Sequence, residues 1–135
     1  MTTYTTQAIE ELNIELTGIL RKRKMLIAGL FPIELQNPLA RKYLEQGVLR
    51  RISIIARSTT ELFSVLPPET DQLPTKETLD LATIQLQASI FNTYGLLDCW
   101  AHVWANEFDV LDKKSRLLNF SKIGFGERFS ELRAP

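Results

Sequence analysis

The chain has 135 residues, of which 44% are hydrophobic and 24% charged, which is typical of one globular domain and excludes a disordered or fibrous protein. Its 16 basic and 16 acidic residues balance, which excludes a global positive field that would draw the protein onto nucleic acid or an anionic membrane. A single cysteine, Cys99, excludes an internal disulfide. The lone cysteine and the lack of a signal-peptide pattern at the N-terminus together predict a cytoplasmic protein.

The first predicted helix runs from about residue 6 to residue 30. Glutamates lie in its early turns and the basic run 21–24 lies late, the order that the helix dipole favours. Pro32 ends it. Its apolar residues recur at steps of three and four and predict one buried stripe of Ile9, Leu12, Leu16, Ile19, Leu20, Leu26 and Ile27.

The second predicted helix begins at Asn37-Pro38, an N-cap side chain followed by a proline at the first helical position. It ends at Pro67-Pro68, and Gly47 is its expected weak point. The predicted buried face consists of Leu39, Tyr43, Leu49, Ile52, Ala56, Leu62, Phe63 and Leu66.

The third predicted helix runs from about residue 75 to residue 112, with a bend expected at Gly95. Apolar residues occupy much of its circumference, which predicts a central helix that the others surround. A short helix is predicted around residues 127–132. The sequence therefore predicts an all-α fold, with one domain over residues 1–135 that forms a helical bundle of three long helices plus a short C-terminal helix.

Asp98 and His102 are spaced i, i+4 on the third helix, so their side chains share a face. One hypothesis is a carboxylate that orients an imidazole for general-base catalysis. The other, which the lack of a nearby nucleophile favours, is a buried polar pair with a structural role. The spacing of His102, Cys99 and Glu107 matches neither a zinc site nor a carboxylate-bridged di-iron bundle, so we predict no metal and no cofactor.

Trp100 and Trp104 are also spaced i, i+4, and with Phe108 they are the predicted protein interface; base stacking is the alternative use of such a pair. Arg50 and Arg57 lie one heptad apart and are weak candidates for RNA binding, although a solvated face is the commoner use of such residues. The basic run 21–24 spreads around a helical turn and cannot face one ligand.

Two segments, LRRISIIARSTTELFSVLPPE and IFNTYGLLDCWAHVWANE, resemble uncharacterised bacterial proteins of the HEPN (higher eukaryotes and prokaryotes nucleotide-binding) helical superfamily. The resemblance covers about residues 50–107. It implies a helical bundle that often dimerises, in a superfamily rich in RNA-cleaving toxins, phage-defence proteins and their inactive relatives. The positions that carry it are Asn92, Tyr94, Gly95, Asp98, Ala101 and Trp104.

Active members of that superfamily use an arginine and a histidine separated by four to six residues. His102 is the only histidine, and positions 95, 96 and 97 are Gly, Leu and Leu. We therefore expect a non-catalytic HEPN-like interaction or oligomerisation module of a bacterial defence or toxin–antitoxin system. It would bind itself or a partner protein through residues 100–108 or the C-terminal segment. We expect it to bind no membrane. The alternative is an RNA-directed nuclease or nucleotide-binding enzyme that uses Asp98 and His102.

Overall fold

The computed structural model describes residues 4–110, which form three long helices and, within that range, no strand. The predicted all-α fold is thereby confirmed, whereas the short helix predicted at residues 127–132 lies outside the described residues. The helices are α1 (Thr6–Leu30), a continuous second helix made of α2 (Pro38–Lys42), a π-helical segment (Tyr43–Leu49) and α3 (Arg50–Val65), and finally α4 (Lys76–Glu107).

Each of the three long helices begins at a residue whose side chain accepts a backbone N–H of the first turn. Thr5 accepts from Ala8 at the start of α1, and Thr75 accepts from Thr78 at the start of α4. The Asn37 side chain accepts from two backbone N–H groups, with Pro38 next to it. Such caps satisfy donors that have no partner within the helix, so the predicted start at Asn37-Pro38 is confirmed.

The second helix, over residues 38–65, is the centre of the described fold. It packs against α1 through α3 and against α4 along most of its length. The prediction that α4 is the surrounded helix is wrong for the described residues, because one side of α4 stays exposed. The main buried cluster consists of Ala40, Leu44, Val48 and Ile52 from the second helix and Val103 from α4, with Ile27 and Leu30 of α1 packed against it.

The buried face of the second helix differs from the predicted one at its start. Leu39 is exposed, and the buried residues Ala40, Leu44, Val48 and Ile52 recur at every fourth position. In a regular α-helix a spacing of four drifts steadily around the axis. The π-helical segment has a wider turn and offsets that drift, so one line of side chains keeps facing α4.

Gly47 and Gly95 allow the second helix and α4 to approach closely. A Cβ at position 47 would lie 2.7 Å from Sγ and 2.9 Å from Cβ of Cys99. A Cβ at position 95 would lie 2.6 Å from the Arg51 guanidinium. Gly47, the predicted weak point, lies in the π-helical segment and is also a contact point between helices, and α4 continues as a helix through Gly95.

Within residues 4–110, no helix combines the length and the apolar character that crossing a membrane requires.

Gly47→Ala is expected to destabilise the protein, because the new methyl group would overlap both side-chain atoms of Cys99. We expect a loss of about 1–3 kcal/mol in the free energy of unfolding, the usual cost of overpacking. Chemical denaturation followed by circular dichroism measures it.

Gly18→Ala is the matched control, because its Cβ would meet only Lys22 Cε at 3.9 Å. It should be stabilising by up to about 1 kcal/mol. Adding Cys99→Ala should restore part of the stability that Gly47→Ala loses. Equal effects of the two glycine substitutions would contradict the close contact.

Candidate functional site

A cleft of about 400 Å³ lies between the segment that joins α1 to α2 and the last turns of α4. The three predicted interface residues, Trp100, Trp104 and Phe108, all line it. They lie four residues apart on α4 and thus project from one side of the helix. The Trp104 and Phe108 rings are 6.0 Å apart and tilted by 50°. The structure therefore brings the predicted interface together as one concave aromatic surface.

Glu107 joins the two walls of this cleft. Its carboxylate oxygens accept the backbone N–H of Gln36 at 2.8 Å and of Asn37 at 3.0 Å. The Asn37 side chain donates to the Asn106 carbonyl at 2.9 Å, and the buried Asn106 side chain donates to the His102 carbonyl at 2.7 Å. Residues about 70 apart in sequence are thus held by hydrogen bonds at one end of the bundle.

The backbone N–H groups of Gln36 and Asn37 lower the pKa of Glu107 below its ordinary value, and the nearby charge of Arg41 lowers it further. Hydrogen bonds and positive charge both favour the ionised form of a carboxyl group. Glu107 therefore carries a negative charge at neutral pH while it joins the two walls.

Sequence reasoning missed this role of Glu107. It weighed Glu107 only as a metal ligand and assigned Asn37 only as an N-cap. Asn37 in fact has two roles. Its Oδ1 caps α2, and its backbone N–H and Nδ2 donate hydrogen bonds to α4. No local spacing links positions in different helices, so no sequence signal pointed to the contact.

The second candidate, Asp98 and His102, does not form a closed hydrogen-bonded pair. Asp98 Oδ2 lies 3.9 Å from His102 Nε2, which is too long for a hydrogen bond. The side chains are 42% and 22% exposed, so the expectation of a buried pair is wrong. The His102 ring stacks on Tyr43, with ring centroids 4.6 Å apart and planes 9° from parallel.

The side chain of Arg51, a residue that the sequence did not point to, extends from α3 to α4. Its Nη1 donates to Asn92 Oδ1 at 3.1 Å, and its guanidinium occupies the space left by the missing side chain of Gly95. Asn92 and Gly95 both belong to the positions that carry the HEPN resemblance. In this fold, therefore, two of those positions serve to hold Arg51.

The selected basic residues lie on two helices, α1 and α3. Arg50 and Arg57 are exposed on α3, as a solvated or a ligand-contacting face requires. In the basic run 21–24, Lys22 pairs with Glu15 on α1 and Arg23 is partly buried. The run is thus divided around the helix, as its spacing predicted.

Among residues 4–110, no group of three or more His, Cys, Asp or Glu side chains is arranged to hold a metal ion. Comparisons of the chain with protein-family models, curated proteins and solved structures found no match.

Glu107→Gln is expected to destabilise the protein at neutral pH, because an amide has only one oxygen to accept the two N–H groups. The folded-state pKa of Glu107 is lowered, so its stabilising contribution is present above the ordinary value of 4.5 and is lost as the pH falls through the folded-state pKa. The difference in unfolding free energy between wild type and variant should therefore shrink below about pH 4.5.

Urea denaturation of both proteins between pH 3 and pH 7 measures this difference. Glu10→Gln, an exposed substitution on α1, is the control and should change stability little at any pH. A difference that stays constant across the acid range would rule out the charged carboxylate as the joining group.

Proposed function

We propose that the chain is a non-catalytic, HEPN-like helical module that acts by self-association. The main support is an exposed apolar surface on α4, called the outer face below. This face lies on the side of α4 that is turned away from α3. Its large side chains are between 38% and 61% exposed. The outer face consists of Leu79, Leu86, Ile90, Tyr94 and Leu97. Soluble proteins rarely expose contiguous apolar patches of this kind unless the patch binds something.

The charge pattern of α4 favours a second copy of the chain as the partner. Residues 81–97 contain no charged side chain, over a length of roughly 25 Å of helix. In a two-fold symmetric dimer each patch faces itself, so a charge in the patch would meet its own copy. A neutral apolar face avoids that repulsion and is complementary to itself.

The arrangement of the outer face suits an antiparallel pairing of two α4 helices. With Ile90 at the two-fold axis, Leu86 of one copy lies opposite Tyr94 of the other. The five exposed side chains offer on the order of 500 Å² per copy, so the pair reaches the roughly 1,000 Å² that a specific interface requires. This proposed contact differs from the one predicted at residues 100–108, and the C-terminal segment lies outside the described residues.

A role in a bacterial defence or toxin–antitoxin system is proposed on the HEPN resemblance of residues 50–107. The missing Arg-His motif and the 3.9 Å separation of Asp98 and His102 support a module without catalysis. One observation favours the nuclease alternative. The His102 ring is held flat against Tyr43, which would fix the orientation of a catalytic imidazole.

Ile90→Glu is expected to convert a dimer into a monomer, because it places two carboxylates against each other at the two-fold axis. Size-exclusion chromatography with light scattering at micromolar concentration measures the mass. Circular dichroism should show unchanged helix content, since Ile90 is 56% exposed and lies outside the core.

Ile14→Glu is the matched control, an exposed isoleucine on α1 that should leave the dimer intact. A monomeric wild-type protein would overturn the proposal. So would dissociation by Ile14→Glu in place of Ile90→Glu.

The purified protein is expected to cleave a labelled single-stranded RNA no faster than buffer does. Asp98→Asn and His102→Asn should not change that background, because neither residue acts as a catalyst in this proposal. RNA cleavage that both substitutions abolish, with helix content and stability retained, would establish the nuclease alternative instead.

A further inference from the structure

We infer that the cleft lined by Trp100, Trp104 and Phe108 binds an arginine side chain of a partner protein, flanked by apolar residues. This inference rests on the proposed function only in assuming that the chain works by binding proteins. It concerns residues other than those of the outer face of α4, and it gives the module a second, different partner.

The aromatic lining suits a flat cation. A guanidinium placed over the face of a tryptophan is attracted by the ring quadrupole, and arginine also stacks its planar group on such a ring. Trp100 and Trp104 both contribute to the cleft, and Trp100 stays exposed at its mouth. The volume of about 400 Å³ accommodates one long side chain and part of its neighbours.

The charges that line the cleft are negative. Glu34 and Glu107 contribute carboxylates, and no described lysine or arginine is part of the lining. Each Glu107 oxygen accepts one backbone N–H, which leaves room for a further donor because a carboxylate oxygen has two lone pairs. Arg41, whose charge acts on Glu107, is not part of the lining and donates to the Leu35 carbonyl at 3.4 Å. The lining thus complements an incoming positive group.

The floor of the cleft belongs to the core. Leu44 and Val103 line it and are 2% and 6% exposed, so their positions are set by packing of the second helix against α4. Ile33 and Phe108 stand exposed at the rim and offer apolar contacts to the residues beside the arginine. The cleft therefore has a fixed floor, a cation-attracting wall and an apolar rim.

The test uses the intrinsic fluorescence of the full chain, since Trp100 and Trp104 are its only tryptophans and both line the cleft. The probes are acetyl-Leu-Arg-Leu-amide and the same peptide with citrulline, which keeps the shape of arginine without its charge. We expect a saturable change with the arginine peptide and binding about tenfold weaker with citrulline.

Glu34→Gln should weaken binding of the arginine peptide several-fold, whereas Glu61→Gln, an exposed substitution on α3, should not. Equal binding of both peptides, or no saturable change with either, would overturn the inference. Light scattering of the same samples tests self-association separately, so either proposal can fail alone.

Discussion

The close antiparallel packing of α4 on the second helix is the contact on which the rest of the described structure depends. Polar and apolar pairs follow one another along it, from Asn37 with Asn106 at one end to Thr59 with Ser89 toward the other. Between them, Gly47 meets Cys99 and Arg51 meets Gly95. A residue without a side chain faces a larger one in both middle pairs, which allows the helix axes to approach and the core side chains to pack densely.

This packing determines which surfaces remain for binding. Because α4 gives one side to the second helix, its charge-free outer face stays exposed. Because Glu107 fastens the end of α4 to the segment before α2, the aromatic residues of the last turns border a cleft with two walls. The two proposed binding surfaces are therefore both consequences of one helix-helix contact and of the hydrogen bonds at its end.

Several of the residues that carry the HEPN resemblance take part in the packing around α4. Gly95 and Asn92 hold Arg51, Ala101 is buried, and Trp104 lines the cleft. His102 contributes its ring to a stack with Tyr43 and its carbonyl to a hydrogen bond from Asn106. A pattern of such residues specifies how two helices fit together, which is independent of whether a catalytic motif accompanies it.

Local features of the sequence determined the helices of residues 4–110. Apolar spacing, the cap at Asn37 and the prolines after α1 and α3 act over a few residues, so they could be recognised without the fold. The grouping of Trp100, Trp104 and Phe108 was predictable too, because the three residues share one side of a single helix. Only the tertiary structure decided which helix is central, since a helix that is apolar all round packs equally well against its own chain or another. It also decided the shifted face at Ala40, the close contact at Gly47 and the role of Glu107. Each of these depends on atoms from helices that are distant in sequence, and no periodicity within one helix records what lies opposite it.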